Sequence, residues 1–153
     1  MSPAPDAIAF PRFRMIVSNV RFGRHPALGA VGGGDMGRRR WWDYRTETGW
    51  RPVREFMDTP DEHEFAEVMT AMKRVAREGL TAARHLRGEV YDVRARGLTR
   101  NFRVLFAQEG QFSQVLLSLT AFVKKTQRTP RRDLELAEGR LADWRARSRP
   151  RRH

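Results

Sequence analysis

Between Arg94 and Arg132 the chain carries nine basic side chains, Arg94, Arg96, Arg100, Arg103, Lys124, Lys125, Arg128, Arg131 and Arg132, against one acid, Glu109. Nine against one gives this segment a local charge of +8, within a chain of formal charge +12 and pI near 11.5. Guanidinium groups grip phosphate oxygens through paired N–H donors, and a field of this sign draws polyanions and makes binding salt-dependent. The chemistry indicated is contact with a nucleic-acid backbone. Two blander accounts stay open: a solvated face partly neutralised by Asp92, Glu64 and Glu67, and an arginine content set by GC-rich coding. Phe102, Phe106 and Phe122 lie among these cations and offer ring faces for base stacking.

Other chemistries find little support. There is no cysteine, and His25, His63, His85 and His153 are too scattered for a zinc site. Gly32-Gly33-Gly34 is followed by neither Lys-Ser/Thr nor a helix, so no P-loop is present and no cofactor is expected. His85, just ahead of the basic strands, reads as a loop or packing residue. The hydroxyl of Thr126 is a candidate phosphate ligand, whereas Thr129, followed by Pro130, reads as a helix cap. No apolar run approaches the roughly 20 residues of a membrane span, and no secretory leader is evident, so a cytoplasmic protein is expected.

The elements that must position the cations follow from pattern. Glu89–Arg96, Asn101–Ala107 and Phe112–Val123 are rich in strand formers, and the connections 97–100 and 108–111 are of hairpin length. Closing the first hairpin pairs residue 96 with 101 and 94 with 103. Tyr91, Val93 and Ala95 then share one face with Phe102, Val104 and Phe106, which makes that face the core. The other face receives Asp92, Arg94 and Arg96 against Asn101, Arg103 and Leu105, with Arg94 directly opposite Arg103. Carried through the second turn, the same register puts Val115 and Leu117 on the core side and Phe122 and Lys124 on the arginine side. Of the three phenylalanines, only Phe122 is then placed to stack on a base.

Ahead of this meander, Trp41–Thr46 reads as a short strand and Pro52–Met57 as a short helix. Thr59-Pro60-Asp61-Glu62 reads as a capping box with proline at the first helical position. Phe65, Val68, Met69, Met72, Val75 and Ala76 then recur at helical spacing up to a stop at Gly79, the methionines serving as core filler. Leu134, Ala137, Leu141 and Trp144 give a last amphipathic helix, and Arg145–His153 reads as a frayed basic end. The fold class is α+β: short strand, two helices, antiparallel three-stranded meander, and a C-terminal helix packed on the sheet. Residues 1–40 sustain no period and are punctuated by Pro3, Pro5, Pro11 and Pro26, which predicts a flexible or non-native extension. Gly32-Gly33-Gly34-Asp35 would be encoded by a purine-rich stretch just ahead of Met36, so translation from Met36 is one reading and a glycine linker the other. The domain is expected over 41–147, with a basic tail over 148–153.

Three segments resemble the ordered signatures of the HigB-like, phage-related branch of the RelE/ParE superfamily of toxins. They are Gly88-Glu89-Val90-Tyr91-Asp92-Val93-Arg94, Asn101-Phe102-Arg103-Val104-Leu105-Phe106, and Ala121-Phe122-Val123-Lys124-Lys125-Thr126-Gln127-Arg128-Thr129-Pro130. Tyr44-Arg45-Thr46, Gly49 and Pro52–Phe56 resemble the start of that family, and the likeness runs from Trp41 to Arg147. The resemblance implies a RelE-like fold and a ribosome-dependent mRNA endonuclease, an RNA-binding hydrolase of a type II toxin–antitoxin system. Its implied partners are mRNA in the ribosomal A site with the surrounding rRNA, and a cognate helix-turn-helix antitoxin. It also implies attack of a ribose 2′-OH on the adjacent phosphate, with Arg103 stabilising the transition state and Arg94, Lys125 and Lys124 as further catalytic candidates. Arg96, Arg100, Phe122, Thr126, Arg128 and Arg131 are the candidate RNA- and phosphate-binding residues.

Proton transfer is not assigned by these residues. Arginine does not lose its proton, and a lysine of ordinary pKa is neutral roughly 0.04% of the time at pH 7. Lys124 or Lys125 serves as a base only where neighbouring cations lower its pKa substantially. Pro130-Arg131-Arg132 stands where the family has a C-terminal aromatic catalytic residue. Two further readings therefore stand beside the endonuclease: a ParE-like inhibitor of DNA gyrase that cleaves no RNA, and a catalytically inactive basic RNA-binding module.

Overall fold

A computed structural model describes residues 39–149. Apart from Arg39 and Arg40, the N-terminal extension, including the start considered at Met36, lies outside the described residues, as does most of the 148–153 tail. The elements in order are β1 (Arg40–Asp43), α1 (Pro52–Phe56), α2 (Glu62–Glu78), a 3-10 turn (Gly79–Ala82), β2 (Arg84–Arg87), β3 (Val90–Arg96), β4 (Asn101–Glu109), β5 (Val115–Val123) and α3 (Arg131–Ser148). The strands form one mixed sheet in the order β1-β5-β4-β3-β2. Its one parallel pair is β1 with β5, with Trp41 beside Leu116.

The first hairpin closes in the expected register, with Arg96 opposite Asn101 and Arg94 opposite Arg103. One core lies where expected: Val93, Ala95, Phe102, Val104 and Phe106 pack under Val53 of α1 and Phe65, Val68, Met69, Met72 and Val75 of α2. Each such large side chain stabilises the fold by about 1.5–3 kcal/mol through the apolar area it removes from water. The indole N–H of Trp41 donates to the Met72 carbonyl at 2.7 Å and ties β1 to α2. Gly79, at φ +80, ends α2 as expected.

The other face is not open throughout. Val90, Leu105, Ala107, Val115, Leu117 and Leu119 form a second core with Ala137, Leu141 and Trp144 of α3. Val115 and Leu117 were expected on the first core, and the length of the second turn moves them. The second turn runs through residues 110–114, so that Glu109 pairs with Val115, and the register shifts at Leu105/Phe106. That irregularity reverses the facing again, so Phe122 returns to the arginine side as expected, there opposite Arg103.

Four local expectations are corrected. The cap of α2 is not Thr59 with Pro60; it is Asp61, whose carboxylate accepts from the Glu64 N–H at 2.8 Å while Glu64 reaches back to the Asp61 N–H at 3.0 Å. Thr59 also has an acid three residues on, Glu62, but its hydroxyl donates to the Phe56 carbonyl at 2.8 Å, and it is Asp61 and Glu64 that close the box reciprocally. A short strand, β2, precedes the meander and includes His85, which packs edge-on against Tyr91 at 5.1 Å. Thr129 caps nothing, because α3 starts after Pro130 with no side-chain cap. Arg145 is not frayed: it lies in α3, bonded to Glu109 at 2.7 Å and to Glu89, which clamps the helix to the ends of β3 and β4. No helix among the described residues is long and apolar enough to cross a membrane.

Candidate nucleic-acid interface

Strands β3 and β4 set two cations side by side, because the register that buries the phenylalanines also places Arg94 opposite Arg103. Like charges directly opposite destabilise a sheet. Asp92, two residues before Arg94 and on the same face, offsets this from a fully buried position. Its Oδ2 lies 2.9 Å from Nη2 of Arg84, 3.8 Å from Nε of Arg103 and 3.9 Å from Nε of Arg94. Three guanidinium groups therefore share one carboxylate.

Arg103 is only 1% exposed. Its Nη1 donates to the Thr129 hydroxyl at 2.8 Å and its Nη2 to the Gln127 carbonyl at 3.0 Å. It thereby pins the segment 124–130, which leads from β5 into α3. Burial pushes its pKa below the usual arginine range; Asp92 opposes that shift and Arg84 adds to it. The guanidinium keeps its charge regardless, since no arginine in a protein approaches neutrality near pH 7.

Above Arg103 lies a cleft of about 180 Å³ lined by Arg94, Ala95, Arg96, Asn101, Phe102, Arg103 and Lys124. No carboxylate lines it. The backbone N–H of Lys124 donates to the Asn101 carbonyl at 2.7 Å, holding the lysine at the rim, and its Nζ lies 3.5 Å from Gln127 Oε1. Lys125, Thr126 and Arg128 are exposed on the same segment, where the Thr126 hydroxyl donates to the Arg128 carbonyl at 2.7 Å. Such an arrangement can bind a phosphodiester from two sides. The cleft-lining residues include no histidine, tyrosine or carboxylate to move a proton, which leaves Lys124 as the one group there able to lose one.

Of the residues singled out from sequence, the structure brings together Arg94, Arg96, Arg103 and Lys124. Phe122 is half-buried opposite Arg103 and packs on the second core. Arg100 turns instead to α2, where Glu64 holds it through bonds of 2.9 and 2.8 Å. Arg131 is exposed on α3 and paired with Glu135. Sequence reasoning missed Arg84, which gave no strand signal, and Asn101 at the cleft wall; it treated Asp92 as a neutralising charge alone. The described residues hold no group of three or more His, Cys, Asp or Glu placed to bind a metal ion.

Residues 54–142 match the phage-derived Gp49-like family (DUF891). Over 108 residues the chain is 33% identical to the protein named probable endoribonuclease HigB1 in the CDC 1551 and H37Rv strains of Mycobacterium tuberculosis. That stretch covers 68% of this chain and 83% of the relative.

Proposed function

The chain belongs to the phage-derived Gp49-like family, as a HigB-like protein of the RelE/ParE type, and from that premise we propose that it is the toxin of a toxin–antitoxin pair and an endoribonuclease. The observation that carries this reading is the acid-free cleft between Arg94, Arg96 and Lys124 with Arg103 as its floor. A scissile phosphate seated there meets side-chain cations on both walls, and the buried Arg103 charge adds to the field because screening by water is weak beneath it. The 2′-oxygen of the ribose attacks phosphorus and the bond to the 5′-oxygen breaks, giving a 2′,3′-cyclic phosphate and a 5′-hydroxyl. A base must take the 2′-OH proton and an acid must protonate the leaving oxygen. Lys124 and Lys125 are the chain's candidates. With no paired acid and base along the cleft, decoding-site groups of the ribosome are the natural source of the remainder, which favours mRNA on the ribosome as substrate.

Exposed Lys125, Thr126, Arg128 and Arg131, on the stretch that follows Lys124, extend the basic surface beyond the cleft. A small helix-turn-helix antitoxin with acidic residues would cover it by charge complementarity. The same lack of a proton-transfer pair favours, as a second reading, a non-cleaving protein that inhibits gyrase or binds RNA.

Primer extension on a defined mRNA, with and without translating ribosomes, separates these readings. Cuts that require ribosomes and vanish with Arg103→Ala are expected. Absence of cuts in either condition would overturn the endonuclease, and a supercoiling assay would then distinguish the gyrase inhibitor from an inert binder.

A further inference from the structure

We propose that Asp92 is a positioning residue for the cleft: a buried carboxylate that, braced by Arg84 of the edge strand β2, fixes where the Arg103 and Arg94 guanidinium groups stand. The inference deepens the endonuclease reading and rests on it for its catalytic part. Asp92 and Arg103 are both buried, at 1% exposure each. Charges so removed from water are costly unless matched, so each constrains the other's position closely. The match is made by charge more than by hydrogen bonding, since Arg103 and Arg94 lie 3.8 and 3.9 Å from Oδ2. The direct bond, at 2.9 Å, is to Arg84. Asp92 Oδ1, Arg84 Nε and Arg103 Nε are buried without a hydrogen-bond partner.

Buried polar groups that serve fold stability alone are nearly always hydrogen-bonded. This one leaves three polar atoms open and gathers three cations around a single acid, with a net charge of +2. Asp92 itself does not line the cleft, so it acts through the arginines. Thr129 and the Gln127 carbonyl hold the far end of Arg103, and Asp92 holds its near end. Losing the near hold lets the floor of the cleft tilt without removing any cation.

The test uses the full chain with Asp92→Asn, which keeps the shape and removes the charge. Arg84→Gln is the second variant, milder because the Arg84 side chain is 41% exposed and its loss leaves no uncompensated buried cation. Two readouts are taken on each folded variant: ribosome-dependent cleavage of a defined mRNA, and the ¹H–¹⁵N signal of Arg103 Nε, assigned with Arg103→Lys. Expected for Asp92→Asn is a fall in kcat on the order of 10- to 100-fold with KM changed less than about twofold. The Arg103 Nε signal should shift and lose its protection from exchange. For Arg84→Gln the same two changes are expected at smaller amplitude. An unshifted, protected signal in either folded variant overturns the proposal, as does a wild-type kcat in folded Asp92→Asn. Should Asp92→Asn fail to fold, Arg84→Gln decides alone by the same criteria. Should the wild-type chain cut no RNA, the endonuclease reading falls while the Nε signals still decide whether Asp92 positions Arg103.

Discussion

Two arginines three residues apart, Arg100 and Arg103, meet carboxylates on opposite faces of the same sheet, and the two groups are built differently. Arg100 forms a closed pair: both oxygens of Glu64 accept from it, Glu64 completes the α2 cap, and the guanidinium lies over the Phe102 ring at 5.2 Å. Bonds from Arg100, ahead of the Asp61 backbone N–H, hold the Glu64 pKa down to about 2. Arg103 belongs to an open group, where three cations crowd Asp92 and buried polar atoms stay unmatched. Stoichiometry, more than residue type, separates the arginine that holds a helix end from the arginine of the candidate site.

The largest expected effect bears on the open group. Arg103→Ala should reduce ribosome-dependent cleavage by about 100-fold or more, the scale of losing a principal transition-state charge; activity within tenfold of wild type would erase the distinction. Next, Arg94→Ala and Lys124→Ala should each weaken RNA binding. Each should also lower the slope of log K against log salt by somewhat under one, as for a lost single-strand phosphate contact, which a salt titration reads directly. Arg100→Ala should change cleavage at least tenfold less than Arg103→Ala while lowering the melting temperature by several degrees, since it strips the buried Glu64 carboxylate of its cation. The smallest effect is on acid stability. The Glu64 carboxylate has its pKa lowered on folding, so its contribution is present at neutral pH and is lost as pH falls from about 4.5 toward about 2. Urea titrations across that window should show a shallower decline for Glu64→Gln than for wild type.

The β3–β4 hairpin and the basic face were legible because alternation of period two, anchored by a four-residue turn, admits one register that buries two apolar triplets together. The second hairpin was not, since nothing in Gln108–Gln114 marks where its turn ends, and the irregularity at Leu105/Phe106 leaves no compositional trace. β2 escaped because Arg-His-Leu-Arg has no strand composition and owes its pairing to Asp92 and Tyr91 across the ladder. Linear charge counting grouped Arg100 with Arg103. Only the fold shows that one of them turns toward a glutamate 36 residues earlier.

Strand β1 pairs not with a neighbour in sequence but with β5, Arg40 beside Val115. During synthesis that strand must wait for a partner made much later, and closing so long a loop slows folding. The cleft waits longer still, for it needs Lys124 at the rim and Thr129 beneath Arg103. The cleft therefore exists only once residue 129 has left the ribosome, a delay that, on the proposed reading, would keep a toxin from acting on the machine still producing it.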